Sequence, residues 1–153
     1  MNFWPFRSRP VVTPFTDDFS GRVLSYPGAF NAQTVDLIIP DNIYCIPTAL
    51  HLLCHTGAGI RGFTNNSVYF IRGGVTFASS VGIVLPSNRI AHLTYQTFQG
   101  WRPITLPIDN LISYLPHPLY LYPNDVVRHY FAEFQAADVF DEFSIHGQFW
   151  EVH

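Results

Sequence analysis

Lysine is absent from this chain of 153 residues, and charged residues of all kinds make up only 12% of it. The basic residues are eight arginines, and the formal net charge is -3. A protein that reads nucleic acid carries a clustered basic surface, so this composition does not favour that function. Because so few ionic side chains are available for the outside, we expect other protein to cover part of the surface.

Three other features are missing or scarce. There is no run of about 18 apolar residues, so no membrane span is predicted. The first ten residues, MNFWPFRSRP, lack the apolar core and cleavage site of a signal peptide, so secretion by that route is not expected. The two cysteines, Cys45 and Cys54, lie in one apolar stretch, where a strand would hold them about 30 Å apart on opposite faces. We expect free thiols, as in a protein assembled inside a cell.

Apolar residues are plentiful instead, at 48% of the chain, with aromatic residues at 16%. A chain of this length forms one domain with one core. From residue 34 onward, short runs of β-branched and aromatic residues alternate with Gly and Pro, and no long helical pattern or repeat occurs. Residues 34–153 are therefore predicted to form an all-β domain, a two-sheet β-sandwich of jelly-roll type with about eight strands.

Two local signals fix details of the strands. Gly73 and Gly74 stand between two β-type runs and predict a tight hairpin. Pro47 interrupts a long apolar run at 43–56, and because it lacks an N–H we expect it at a bulge or on an edge strand.

The end of the chain is predicted to form a closing hairpin. Two runs, at 126–134 and 143–149, flank an acidic turn with the sequence AADVFDE, whose acidic side chains are expected to be solvated. Each run is expected to turn every second residue toward the core, namely Val126, Tyr130, Ala132 and Phe134 in the first and Phe143, Ile145, Gly147 and Phe149 in the second. In the proline-rich connection before the hairpin, residues 109–113 are compatible with a single turn of helix.

Residues 1–33 differ from the rest of the chain. Four prolines interrupt regular structure there, while seven aromatic residues make the segment too apolar for a solvated tail. We predict an extended N-terminal arm that lies either across its own sandwich or on a neighbouring subunit. Rings bury apolar area and arginines form fixed planar contacts, so the candidate interface residues are Phe3, Trp4, Phe6, Arg7, Arg9, Phe15 and Arg22.

The best candidate for a metal site is the group His51, Cys54 and His55. On a strand, residues four apart share a face but stand about 13 Å apart, which is too far for one ion. No serine-nucleophile elbow occurs, and the GAGIRG segment at 57–62 lacks the features of a phosphate-binding loop. No catalytic residue, metal or cofactor is predicted, and the chain is not expected to be an enzyme.

Four segments follow one another in a recognisable order: IYCIPTALHLLCHT, SVYFIR, LYLYPND and DVFDEFSIHGQFWEV. This order resembles small β-sandwich structural proteins of tailed bacteriophage virions, in which an aliphatic-Pro-Gly-Asp turn precedes the penultimate strand and an Asp-rich turn leads to the last. Here Asn124 stands in place of the Gly, and Asn also tolerates left-handed backbone. The likeness covers about three quarters of the chain, residues 34–152.

The resemblance implies a capsid decoration or cement protein, or a neck or tail component, located in the virion and assembled in the host cytoplasm. The implied partners are copies of the chain itself, for example as a trimer, and the major capsid protein or another virion protein. The alternative is a carbohydrate-binding module of a phage fibre or tail, with a groove lined by rings such as Trp101, Tyr114 and Tyr120.

Overall fold

The computed structural model describes residues 16–18, 21–25, 31–59, 65–85, 87–97 and 109–151. These residues form two β-sheets and no helix, so the all-β, two-sheet, sandwich-like architecture that the sequence predicts is confirmed. The strands are β1 (Thr16–Asp18), β2 (Gly21–Ser25), β3 (Thr34–Ile38), β4 (Ile43–His55), β5 (Asn65–Arg72), β6 (Val75–Ser79), β7 (Ile83–Val84), β8 (Ile90–Gln96), β9 (Asp109–Tyr114), β10 (Val126–Tyr130) and β11 (Val139–Glu151).

The first sheet, sheet A, has the strand order β1-β2-β11-β4-β8-β9, and the second, sheet B, has the order β3-β10-β5-β6, with β7 paired to β5. All pairs are antiparallel except β8 with β9. Four of the pairs are nested in sequence: β5 with β6, β4 with β8, β3 with β10, and β2 with β11. The chain therefore resembles one long hairpin, with β5–β6 at its tip, that is wound into two sheets.

The core lies between the sheets, because every second side chain of the central strands points to the same side. In sheet B these are Val68 and Phe70 of β5 and Val127 of β10, and in sheet A they include Leu93 of β8 and Ile145 of β11. On β10 the sequence prediction had the wrong face. Val126 and Tyr130 point outward, since the alternation places Val127 and His129 inside.

A polar bridge crosses this core. The Tyr95 hydroxyl of β8 donates to the backbone carbonyl of Asn66 at 3.0 Å and lies 2.8 Å from Nε2 of His129. Because the hydroxyl has one proton, His129 serves it as the donor, which places the imidazole proton on Nε2. Complete burial lowers the pKa of His129 to about 3, so the ring is neutral. The bridge links the two sheets without a buried charge.

Strands β4 and β11 form the longest ladder, and one extra residue on β4 bends it. His146 pairs with Ala49 but Gly147 pairs with Pro47, so Thr48 has no partner on β11. Across this bulge the inward positions of β4 change from Ile43 and Cys45 to Leu50, Leu52 and Cys54. The prediction that Pro47 lies at a bulge is confirmed. Cys45 and Cys54 are both buried and form no disulfide, as predicted. The prediction that they lie on opposite faces is wrong, because the bulge between them turns both side chains toward the core.

Two turns agree with their sequence signals. The Gly73-Gly74 hairpin joins β5 to β6, and both glycines have positive φ, at 58° and 78°. Before β10, Asn124 has a φ of 68°, which is the left-handed conformation expected for it. The Arg72 guanidinium holds this second turn through a two-point ion pair with buried Asp125, whose Oδ2 also accepts the backbone N–H of Tyr122.

Three sequence predictions need correction. Strands β10 and β11 do not pair, because they belong to different sheets and the acidic turn carries the chain from one sheet to the other. Asp138 in that turn is buried and accepts the backbone N–H groups of Gly57 and Gln135, so it is a structural cap and not a solvated acid. Residues 109–114 form strand β9 and not a helical turn.

The predicted N-terminal arm is partly within the domain. Strand β2 pairs with β11, with Ser144 opposite Ser25 and His146 opposite Val23, and β1 pairs with β2 at the edge of sheet A. Residues 1–15 lie outside the part of the chain that the structure describes. Among the described residues there is no helix of the length and apolarity needed to cross a membrane.

The bulge predicts a stability effect at Gly147. A Cβ at this position would lie 2.2 Å from the Ile46 carbonyl oxygen and 2.9 Å from Cα of Pro47. We expect Gly147→Ala to lower the free energy of unfolding by about 2–4 kcal/mol, because only backbone movement can relieve the overlap. Urea unfolding provides the measurement. The control is Gly73→Asn, since nothing lies near Gly73 and Asn accepts its positive φ. Equal losses in the two variants would contradict the packing argument.

Candidate functional site

The outer face of sheet B holds an open groove of about 370 Å³. Its side chains come from all four main strands of the sheet, because alternation turns positions 34, 69, 71, 128 and 130 away from the core. The groove is lined by Thr34, Tyr69, Ile71, Thr76, Arg128 and Tyr130.

The register of the sheet explains how these side chains meet. Arg128 on β10 stands directly opposite Asp36 on β3 and Tyr69 on β5. Tyr130 follows two residues later on the same face and stands opposite Thr34. Directly opposite Cβ atoms in an antiparallel pair lie about 5 Å apart, so the arginine is flanked by both tyrosine side chains.

Asp36 fixes the orientation of Arg128. Nε and Nη2 of the guanidinium donate to the two carboxylate oxygens at 2.7 and 2.8 Å, which is a two-point contact. The hydrogen bond to Asp36 raises the pKa of Arg128 further above its ordinary value. The charge of the arginine is balanced by the carboxylate, so the groove is polar but close to neutral.

The outer face of sheet A carries a different group, a buried cluster of His51, His92 and His146 from three neighbouring strands. His51 and His92 are joined by a hydrogen bond between Nε2 and Nδ1, and their rings stack with centroids 4.4 Å apart. The His146 ring lies 6.3 Å from that of His51. Glu142 is the described acid nearest to the pair, with Oε1 3.8 Å from Nδ1 of His51.

His51 is neutral in the folded protein. Burial, followed by the proximity of His92 and His146, lowers its pKa to about 3. Burial also lowers the pKa of His92. His51 can take up a proton only at acid pH, and that proton would create a buried charge beside other imidazoles.

Strand β8 adds a row of buried polar groups to this face. His92, Thr94 and Gln96 point away from the core in succession, and all three are at most 3% exposed. Nε2 of His92, Oγ1 of Thr94 and both amide atoms of Gln96 have no hydrogen-bond partner among the described residues. An unsatisfied buried polar group costs about 1–3 kcal/mol, so this face does not stabilise the domain as the core does.

The metal candidate from the sequence is not assembled. Cys54 faces the core and its neighbour His55 is exposed, where its Nε2 lies 2.6 Å from a carboxylate oxygen of Asp141. Within the described ranges no three His, Cys, Asp or Glu side chains converge as metal ligands.

His146 of the cluster also contacts Ser144, and this serine–histidine pair is shielded from solvent. The Ser144 hydroxyl is 3.1 Å from Nε2 of His146, which is within reach for proton transfer. Ser144 is only 1% exposed, so a substrate has no access to its oxygen. We interpret the pair as a structural contact within β11.

A strip of exposed apolar side chains runs along one edge of the molecule, and we call it the edge strip. It comprises Val75 (67% exposed) and Phe77 (40%) of β6, Val81 (62%), Val84 (41%) of β7 and Tyr114 (42%) of β9. The backbone N–H of Val81 donates to the Tyr114 carbonyl at 3.1 Å, so the edges of the two sheets meet here. From position 75 to 85 the sequence contains no charged residue.

The predicted interface residues are not brought together by the described part of the chain. Phe3, Trp4, Phe6, Arg7, Arg9 and Phe15 lie outside the described residues, and Arg22 lies in β2 without a described side chain. Sequence reasoning missed Tyr69, Arg128 and Tyr130. Side chains alternate between the two faces in SVYFIR and VVRHY. Once the inward face of each strand is known, this alternation places Tyr69, Arg128 and Tyr130 together on the outer face.

The buried histidines predict acid sensitivity. A folded-state pKa near 3, against 6.5 in the unfolded chain, means that His51 and His129 gain protons on unfolding below about pH 6.5. Stability is therefore complete above pH 6.5 and falls as pH drops toward 3, by about 1.4 kcal/mol per pH unit for each histidine. Urea unfolding at a series of pH values measures the slope. We expect His51→Gln to reduce it by one histidine's share. A slope that His51→Gln does not alter would contradict the assignment.

Comparisons of this chain with protein-family models, with curated proteins and with solved structures return no match. Its function is therefore argued from its own residues, from the groove, the histidine cluster and the edge strip.

Proposed function

We propose that this chain is a non-enzymatic structural protein of a virion, and specifically a capsid decoration or cement subunit that acts as a homo-oligomer. In this role it binds copies of itself and the major capsid protein or another virion protein. The edge strip is the observation that carries the proposal, and the strand order and the composition support it.

The strand order supports the finer fold assignment, a jelly roll. In this fold one long antiparallel hairpin is wound so that its successive strand pairs alternate between two sheets. The nested pairs β2–β11, β3–β10, β4–β8 and β5–β6 follow that scheme, with β2–β11 and β4–β8 in sheet A and the other two in sheet B. Viral capsid domains and lectins are both built on jelly rolls, so the fold favours the proposal over an unrelated role without deciding it.

The edge strip suits a surface that other protein covers. Strand β6 is the last strand of sheet B, and in the described part of the chain it pairs only with β5. Exposed edges in isolated proteins are blunted by bulges, Lys, Pro or inward-pointing charges. Strand β6 has an irregularity opposite Phe70 and Ile71, but its sequence, VTFAS, contains no Lys, Pro or charge. Such an edge with apolar side chains beside it can template a second chain.

The composition also supports the proposal that this chain assembles with other protein. Only 12% of the residues are charged, and the edge strip is the region where large apolar side chains remain exposed on adjoining elements. The apolar, proline-rich segment before β1 is proposed as a second contact, through Phe3, Trp4, Phe6, Arg7, Arg9 and Phe15. Its 15 residues could span about 50 Å if extended, which is long enough to reach a neighbouring subunit.

The alternative function is a carbohydrate-binding module with a groove of three aromatic rings, and the described residues do not support that set of rings. Tyr114 belongs to the edge strip, Tyr120 is partly buried in the connection before β10, and Trp101 lies outside the described residues. A groove formed by these three rings therefore has no support in the described residues.

Charges placed in the edge strip are expected to separate the subunits. We predict that Val75→Lys with Val81→Lys converts the oligomer to a monomer, because two ammonium groups cannot be buried without partners. Size-exclusion chromatography with light scattering measures the change. Both sites are exposed, so unfolding free energy is expected to shift by no more than about 0.5 kcal/mol. Ile38→Lys is the matched control, since Ile38 is 57% exposed at the opposite edge of sheet B. A monomeric wild-type chain at high concentration would contradict the proposal.

The arm predicts a separate effect on attachment. A chain without residues 1–15 keeps every described strand, so we expect it to fold, and thermal melting checks this. It should nevertheless stop sedimenting with purified virus particles, because the arginines and rings proposed to grip the neighbour are gone. Full retention on the particle after this deletion would count against the arm as an attachment element.

A further inference from the structure

The outer face of sheet B has the chemistry of a ligand site that the structural role does not require. Its central row is Asp36, Arg128 and Tyr69, which lie opposite one another across β3, β10 and β5. On one side of that row lie Thr34 and Tyr130, and on the other lie Ile71 and Thr76. Aromatic rings, hydroxyls and the Arg128 guanidinium thus line one groove, and Asp36 beside it fixes the guanidinium.

The charge of the groove excludes an anionic ligand. Arg128 is the only basic side chain among those lining it, and Asp36 already engages two of the arginine's nitrogens. A phosphate or sulfate site would need uncompensated donors, such as an arginine cluster or a helix N-terminus. A neutral ligand meets no such requirement.

The polar groups of the groove match a ligand that is rich in hydroxyls. The Arg128–Asp36 pair presents donors and acceptors in one plane with fixed spacing, and neighbouring hydroxyls on a sugar ring can bond to both. Gln33 holds the Tyr130 hydroxyl at 3.2 Å, which orients that ring at the end of the groove. The Thr34 and Thr76 side chains are exposed at the rim and supply further hydroxyls.

The tyrosines provide the apolar half of the recognition. Both are partly buried, so their rings are held in place while part of each remains accessible. The C–H face of a pyranose packs on such rings, and the tyrosine hydroxyl adds a polar contact at the edge. A volume of about 370 Å³ lies near the lower end of the range for ligand pockets. That size suits a mono- or disaccharide.

We propose that the groove on the outer face of sheet B binds a neutral saccharide, stacked on Tyr69 and Tyr130 and hydrogen-bonded to the Arg128–Asp36 pair. This site does not depend on the proposed virion role, because no residue of the edge strip is among the described residues that line it. Failure of either proposal leaves the other intact.

The test combines a glycan microarray with NMR titration of the full-length chain. The microarray carries neutral and sialylated glycans, and the titrations use glucose, galactose, mannose, N-acetylglucosamine and fucose separately. We expect binding of at least one neutral sugar, with backbone amide shifts confined to β3, β5, β6 and β10. We also expect binding to persist at high salt, since no net charge contributes to it.

Variants then locate the site. Tyr69→Ala and Tyr130→Ala are each expected to weaken binding about tenfold, through the loss of one stacking contact. Thr34→Trp fills the groove from an exposed position and should abolish binding while both tyrosines remain. Tyr44→Ala is the matched control, because it removes a partly buried tyrosine from β4 of the other sheet. Thermal melting shows which variants fold. If a tyrosine variant does not fold, the affinity of Thr34→Trp decides whether the groove is the binding site.

Four results would overturn the proposal. The first is that neither assay detects a saccharide, and the second is that the amide shifts map elsewhere on the domain. The third is that only sialylated glycans bind and that salt abolishes this binding. The fourth is that folded Thr34→Trp binds with wild-type affinity.

Discussion

The extra residue at Thr48 determines which way the second half of β4 faces. Because side chains alternate along a strand, inserting one residue exchanges the inner and outer sets beyond it. Before the bulge Ile43 and Cys45 face sheet B, and after it Leu50 and Leu52 do so. Without the bulge, His51 would enter the core and Leu50 would leave it. The absence of a side chain at Gly147 is what allows the neighbouring strand to approach closely enough at this point.

The local features of this fold follow from the sequence, whereas its pairing does not. Gly73-Gly74 identifies a hairpin and Pro47 identifies a bulge, since each signal acts within a few residues. The pairing of β10 is not local, because its neighbours are β3 and β5, far away in the chain. Two consecutive strands with a turn between them look the same in sequence whether they pair or separate into two sheets. Here the segment between β10 and β11 crosses from one sheet to the other, where a hairpin was predicted. The rings of Phe131 and Phe140 stack across this segment with centroids 3.7 Å apart.

The same limit applies to the sites. The segment VVRHY alternates cleanly, but hydrophobicity alone does not say that a histidine rather than a tyrosine is inside. His129 is accommodated in the core because the hydroxyl oxygen of Tyr95, on the opposite sheet, accepts a hydrogen bond from its Nε2. Once His129 is inside, Arg128 and Tyr130 must be outside, and the groove follows. The histidine cluster could not be read from the sequence either, since His51, His92 and His146 meet only through the order of β8, β4 and β11 in sheet A.

The groove and the edge strip divide the surface of sheet B between two kinds of contact. On β6 the side chains alternate, so Thr76 points into the groove while Phe77 packs toward Phe70, with ring centroids 6.4 Å apart. A chain that pairs with the free edge of β6 would extend the sheet sideways and would leave its outer face uncovered. Assembly through the edge strip therefore does not close the groove. A shell of such subunits would expose many copies of a weak saccharide site, and multivalent display raises avidity without any new contact within a subunit.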